Sequence, residues 1–351
     1  MIDYIIVGSG IAGICFAEVA LQNNKSIIVF DNNSQNSSNI AAGIYNPVIL
    51  KRFSEVWNAK SQIDYLNSFY PLIEDRISTK IDFKIPVIRK FYSIEEQNNW
   101  FSASDKVNLA PFISTKLRFH NYHGIESPYG FGEVFHTGYI DTKLLLIKYH
   151  QYLRDNLSFT ENKFEYSKLE LNNDYIFYDA IKAKNIVFAE GFGLHQNPLF
   201  NNLPLDGTKG EIIIIKAPNL NLDCILNSSV YILPLGNDLF KVGATYNWED
   251  KTNAVTEEGR KELVNKIKEL IHCDFEIIDQ LAGIRPTVKD RKPLVGTHSE
   301  YKNVHILNGL GTRGVMLGPS LAHNLFQNIE NNIPLDDYID IKRFVAKNKN
   351  R

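Results

Sequence analysis

Cysteine is scarce in this chain. Cys15, Cys224 and Cys273 are widely spaced, and no Cys-x-x-Cys pair occurs. That argues against a disulfide framework or a zinc site and fits a reducing compartment, so a cytoplasmic location is expected. An excess of charge of one sign is lacking too. Lys plus Arg number 38 and Asp plus Glu 40, a net charge of -2. A chain that coats nucleic acid is normally far more basic. There is no run of about 18 uninterrupted apolar residues, so no membrane span is expected. The N-terminus has no basic leader and passes straight into an apolar strand, unlike a signal peptide. Internal repeats and long low-complexity linkers are missing as well. A basic cluster of Lys342, Arg343, Lys347, Lys349 and Arg351 closes the chain and reads as a solvated tail.

What is present is ordinary globular material. The 351 residues are 44% hydrophobic and 22% charged, enough for about two domains. Tyr4-Ile5-Ile6-Val7 is a short apolar run of the kind found in a buried parallel strand. Gly8-Ser9-Gly10-Ile11-Ala12-Gly13 follows at once, then a mostly apolar helix, then a second buried strand, Ser26 to Phe30, ending in Asp31. Each glycine has a task. Gly8 permits the tight turn, Gly10 lets a pyrophosphate approach the backbone, and Gly13 lets helix and strand pack closely. The helix start offers free N–H groups and the positive end of its dipole to phosphate. Asp31 is placed to take both hydroxyls of a ribose, which disfavours a 2′-phosphorylated cofactor. The unit indicates a dinucleotide and does not separate NAD from FAD.

The next segment does separate them. A plain NAD domain would continue with alternating strands and helices. Instead Ser37 to Pro47 is a small-residue loop, with Ala41-Ala42-Gly43-Ile44 unusually apolar and Asn46-Pro47 marking a turn. Near the C-terminus, Val304 to Leu307 reads as a strand, Gly309, Gly311 and Gly314 as a second glycine turn, and about Val315 to Ile329 as a helix. These features, together with Ala189-Glu190-Gly191, Thr208 to Glu211, Tyr231 to Pro234, Val242 to Thr245, Gly283 to Thr287 and Asp290 to Gly296, resemble the D-amino-acid oxidase superfamily of flavoenzymes. That group includes glycine oxidase, sarcosine oxidase and the flavin domain of the bifunctional tRNA wobble-uridine modifying enzyme. Gly43 to Pro47, Asp290 to Pro293 and Thr312-Arg313-Gly314 lean toward the last of these. Glu190 departs from the small residue common at its position.

The resemblance implies an α/β fold: a Rossmann-like FAD-binding domain interwoven with an α+β substrate domain on a mostly antiparallel sheet. The expected segments are 1–80, 135–205 and 286–345 for FAD and 81–134 and 206–285 for substrate, with 346–351 as the basic tail. Asp141 to Asn156 and Thr256 to Ile271 read as amphipathic helices. The cofactor would be held by Gly8, Ser9, Gly10, Ile11, Ala12, Gly13, Asp31, Asn32, Ala41, Ala42, Gly43, Ile44, Phe164, Gly191, Arg285, Gly311, Thr312, Arg313, Gly314 and Val315. Sarcosine oxidases tether flavin through a cysteine that would fall near Arg285 to Thr287, where there is none, so the FAD is expected to be non-covalent.

Arg285 is the expected carboxylate clamp, since a guanidinium grips a carboxylate through two parallel hydrogen bonds. Tyr231 would contact the same carboxylate. Arg313 has three readings: near flavin, near substrate, or anchoring a helix start. Lys51 and Arg52 read as solvated, with contact to an anionic substrate as the alternative. His120 and His123 lack companion ligands, so no metal is expected. The implied reaction is hydride transfer from a small amino acid or N-substituted glycine to flavin, giving an imine, with oxygen or another acceptor taking the electrons. Removal of a carboxymethyl group from tRNA carboxymethylaminomethyl-uridine is possible and not favoured by the charge. A non-catalytic flavin module is the third reading.

Overall fold

The strand Ile2–Val7 is apolar throughout because both of its faces are covered. Tyr4 and Ile6 join the core beneath the helices, while Ile5 and Val7 join a second core on the opposite face with Phe30, Ile186 and Phe188. The computed structural model describes residues 1–120, 122–172 and 174–344. Around this strand runs a sheet in the order Phe159–Thr160, Ile27–Phe30, Ile2–Val7, Ile181–Phe188. These neighbours are parallel, and the C-terminal half of Ile181–Phe188 also pairs in parallel with Val304–Asn308. Ile176–Tyr178, Leu169–Leu171 and Leu294–Thr297 extend the sheet with antiparallel pairings. Helices Ile11–Gln22, Ala59–Ile77, Thr142–Asp155 and Gly314–Asn331 pack together over one face.

A second sheet has seven strands, in the order Glu276–Arg285, Thr208–Lys216, Leu239–Gly243, Tyr231–Gly236, Ile225–Asn227, Val87–Lys90, Phe131–Val134. Only the Ile225–Asn227 to Val87–Lys90 pairing is parallel. Helix Glu257–Lys268 packs on this sheet, and the Thr256 hydroxyl caps it by accepting from the Gly259 N–H at 3.0 Å. Asp141 caps helix Thr142–Asp155 in the same way, through the Leu144 N–H at 3.0 Å. A three-stranded sheet of Ile44–Tyr45, Gly138–Ile140 and Asp82–Phe83 ties the Ser37 to Pro47 segment to both larger parts.

Two local expectations change. The Ser37 to Pro47 segment is not all loop: Ser37–Ile40 forms a helical turn, and Ile44–Tyr45 pairs as a strand. Arg343 is not part of a solvated tail. Its guanidinium donates to Asp290 and to the carbonyls of Ile339, Asp340, Lys292 and Pro293, so it staples the C-terminal segment to the body. Lys342 is exposed, as expected. Lys347, Lys349 and Arg351 lie outside the described residues. No described helix is long and apolar enough to cross a membrane.

The helices are locked by a buried carboxylate. Glu18, wholly buried on helix Ile11–Gln22, accepts from Arg76 Nε and Nη2 at 2.6 and 3.1 Å and from the Tyr149 hydroxyl at 2.9 Å. Three helices meet at that one side chain. Glu18→Ala would leave Arg76 half-buried without its counter-charge, at an expected cost of about 3–5 kcal/mol. Urea denaturation of the full chain checks this, and a loss under about 1 kcal/mol would contradict it.

Candidate active site

The first glycine turn brings three elements into backbone contact. Gly8 has φ +97°, in the left-handed region, and a Cβ there would lie 2.4 Å from the Ala189 carbonyl oxygen. A Cβ on Gly13 would lie 1.9 Å from the Gly8 carbonyl oxygen. Any side chain at either position would separate strand, helix and neighbouring strand. No side chain at Gly10 caps the following helix. The Ile11 N–H instead donates to Ser38 Oγ at 3.2 Å, while Ala12 lines the cavity described below.

Asp31 is held before any ribose reaches it. Its Oδ2 accepts from the Ser9 N–H and hydroxyl at 2.5 and 2.7 Å, and its Oδ1 accepts from the Asn33 N–H at 2.6 Å. His150 Nε2 lies 2.7 Å from Ser9 Oγ and 3.2 Å from the Ser9 carbonyl oxygen. A carbonyl can only accept, so Nε2 carries the proton. Ser9 therefore accepts from His150 and donates to Asp31. Burial lowers the His150 pKa, which keeps the ring neutral. Oδ2 is filled by these two donors, and the free acceptor capacity lies mainly on Oδ1.

The second glycine turn has Gly309 and Gly311 at φ +71° and +57°. A Cβ on Gly311 would meet nothing within 4 Å, so this residue faces open space. Helix Gly314–Asn331 begins there with no side-chain cap. A cavity of about 1420 Å³ runs from the first turn, past the second, to the seven-stranded sheet. Gly8, Gly10, Ile11, Ala12, Asp31, Asn32, Phe164 and Gly191 line one end. Ala41 to Ile44, Gly311 to Val315, Tyr231 and Arg285 line the rest. Of the residues expected from the sequence, Ser9 and Gly13 do not line it; both act from behind the wall. His120 and His123 do not line it, and no metal-binding cluster occurs among the described residues.

Arg285 ends the edge strand of the seven-stranded sheet. It sits over Gly210, where a Cβ would come within 2.0 Å of its guanidinium. Two contacts at 3.4 Å, to the Lys209 and Thr245 carbonyls, are its only hydrogen bonds among the described residues, and the Tyr246 ring lies 5.4 Å away. No carboxylate pairs with it among the described residues. Lys209, buried on the adjacent strand, shows what compensation looks like: it pairs with Asp250 and lies 3.7 Å from Glu211. Burial lowers the Arg285 pKa, with nearby Tyr231 and Tyr246 opposing. Arg313 is the same kind of group, lowered by burial with only Tyr338 and Tyr246 opposing. Burial also raises the Tyr231 phenol, and Arg285 pulls it back.

Sequence reasoning missed Ser38, His150, Tyr246 and Lys241, whose Nζ reaches the Ala41 carbonyl at 3.1 Å. A histidine or lysine far along the chain carries no local signal of such a contact. Lys51 and Arg52, read as solvated, are exposed and also line the cavity.

Residues 3–327 match the model of the FAD dependent oxidoreductase (DAO) family. The chain belongs to that family. Glycine oxidase of Bacillus subtilis is 24% identical over 225 residues, covering 59% of this chain and 61% of that protein. The tRNA 5-methylaminomethyl-2-thiouridine biosynthesis bifunctional protein of Campylobacter jejuni is 30% identical over 145 residues, covering 40% of this chain and 23% of that protein. The matches thus span about a quarter of the bifunctional relatives and under two thirds of the glycine oxidase. Among solved structures, glycine oxidase of Geobacillus kaustophilus superposes with a TM-score of 0.78 at 17% identity, covering 96% of each chain. Iminodiacetate oxidase of Chelativorans gives 0.80 at 17%, covering 96% of this chain and 98% of that one.

This FAD-dependent oxidoreductase has a cradle suited to its cofactor. Two glycine turns and two helix starts face the cavity, as a diphosphate and a flat ring require. Asp31 lines the cavity with acceptor capacity free on Oδ1, the group a ribose hydroxyl would need. Asp31→Ala is expected to weaken FAD binding by about 1.5–3 kcal/mol, roughly ten- to hundredfold. Free-FAD fluorescence in diluted holoprotein measures it, and an unchanged affinity would remove Asp31 from the cradle.

Proposed function

We propose that this enzyme oxidises an amine next to a carboxylate, in a small amino acid or an N-substituted glycine. The uncompensated Arg285 guanidinium carries the reading. A desolvated cation with free N–H donors, beside the cofactor cavity, is a site for an anion. A substrate carboxylate would supply the missing counter-charge. Tyr231, whose hydroxyl makes no hydrogen bond among the described residues, would add a donor to the same group.

FAD supplies the acceptor for a hydride from the carbon bearing the amine. The protein's part is then mainly orientation: Arg285 and Tyr231 hold one end of the substrate so that its Cα–H is directed at the cofactor. Arg313, at the second turn, would meet negative charge developing nearby. The relatives named glycine oxidase, iminodiacetate oxidase and L-proline dehydrogenase support amino or imino acids as the substrate class. Oxygen is the acceptor we favour. None of the three cysteines lines the cavity, in keeping with non-covalent FAD.

A second reading has an observation of its own. Lys51, Arg52 and Lys106 are exposed, line the same cavity and make no ion pair among the described residues. That basic fringe suits a polyanion, and the bifunctional tRNA-modifying relatives suggest a carboxymethylaminomethyl group borne on tRNA. Such a group is an N-substituted glycine, so the Arg285 clamp would serve unchanged.

Anaerobic bleaching of the flavin against amino acids, N-alkyl glycines and modified tRNA separates the readings. Arg285→Ala is expected to raise KM for carboxylate substrates by about 2–5 kcal/mol, thirtyfold or more. Arg285→Lys should recover part of this, since it restores charge without the fork. An unchanged KM would sink the clamp. Lys51→Glu with Arg52→Glu should weaken only tRNA.

A further inference from the structure

We propose that Glu190 makes FAD capture proton-coupled: the protein binds FAD with Glu190 protonated, and loss of that proton favours release. Glu190 follows strand Ile181–Phe188 and precedes the helical turn Gly191–Gln196. Its backbone lies against the phosphate turn, its Cα 3.1 Å from where a Cβ on Gly8 would stand. Glu190 is among the residues lining the cavity.

The carboxyl is fixed by two donors. The Tyr166 hydroxyl donates to Oε1 and Asn197 Nδ2 donates to Oε2 at 2.7 Å. No cation pairs with it among the described residues. The ionisable groups on the elements around it are few. Tyr166 is neutral, its phenol pushed far up by burial and by Glu190 itself. His195, on the turn that follows, and Lys163, before Tyr166, are both exposed. Asp31, across the cavity wall, is acidic, and Arg285 and Arg313 line the far part of the cavity. Burial outweighs the two donors and raises the Glu190 carboxyl to about 7.

A diphosphate at the Gly8 to Gly13 turn brings negative charge next to this acid. Like charge in a desolvated site favours the protonated form, so the pKa with FAD bound is higher than without it. The sign follows. Below about pH 7 the proton is present in both states and affinity is at its plateau. Above that, binding must take up a proton, and affinity falls as pH rises until the pKa of the loaded form is passed. Protonated, the acid can also donate to a cofactor oxygen, which a carboxylate cannot.

The test uses holoprotein diluted to near its dissociation constant, with free-FAD fluorescence read at equilibrium from about pH 6 to about pH 9. The expected dissociation constant is flat at the acid end and then rises, approaching roughly tenfold per pH unit. Glu190→Gln keeps the shape without the charge, and should bind with the wild-type low-pH affinity across the whole range. Tyr166→Phe removes a donor that favours the ionised carboxyl, and should move the bend to higher pH. A flat wild-type profile, or a slope that persists in Glu190→Gln, would overturn the proposal. If Glu190→Gln fails to fold, the Tyr166→Phe profile decides: an unmoved bend assigns the proton to another group.

Discussion

Everything at this site depends on backbone touching backbone at Gly8 and Gly13. The space for a Cβ at these two positions is already filled by the Ala189 and Gly8 carbonyl oxygens, 2.4 and 1.9 Å away. That contact seats the first helix on the first strand and sets the end of strand Ile181–Phe188 beside both. The cavity is what remains in front of the contact. Move the helix outward by one methyl group, and the helix start, Ser9 and Asp31 no longer share a centre. The constraint is steric rather than energetic, so no favourable interaction elsewhere can compensate for its loss.

The seven-stranded sheet reaches this centre by the same device. Gly283 lies against Ile40, and Gly210 lies under the Arg285 guanidinium; a Cβ at either position would collide. These two glycines are register partners on adjacent strands. Together they thin the sheet where the Ser37–Ile40 turn and the arginine must fit. Lys241 closes the join by donating to the Ala41 carbonyl. Arg285 is therefore placed by what is missing around it as much as by its own strand.

The parts legible in the sequence were those with short-range causes. The glycine turns, the acid after the second strand and the two amphipathic helices starting near Asp141 and Thr256 could all be read from neighbouring residues. Pairings across long stretches of chain could not. Nothing near Glu18 announces Arg76 and Tyr149, and nothing near Ser9 announces His150. Arg343 is instructive: its basic neighbourhood suggested solvation, yet it meets Asp290 and four carbonyls because the chain folds back over that segment. Lys51 and Arg52 are exposed, as expected, and also line the cavity. Exposure and lining a cavity are compatible when the cavity opens to solvent, and composition cannot tell the two apart.

The distribution of charge along the cavity assigns different physics to its two ends. At the cofactor turn the lining side chains include Asp31 and Glu190, with Lys163 the nearby cation; farther out stand Arg285, Arg313, Lys51 and Arg52. A diphosphate entering the first end finds acids where a counter-ion might be expected. Its charge must be met chiefly by N–H groups and the helix start, which act only at short range and in one geometry. The other end offers fixed cations, two of them, Arg285 and Arg313, largely desolvated and without an ion pair among the described residues, which attract an anion before it docks. Recognition of the cofactor thus rests on shape, and recognition of the substrate on charge. That division explains why glycine spacing marked the first site, while at the second, where the sequence already pointed to Arg285, the fold added that neither Arg285 nor Arg313 has a carboxylate partner among the described residues.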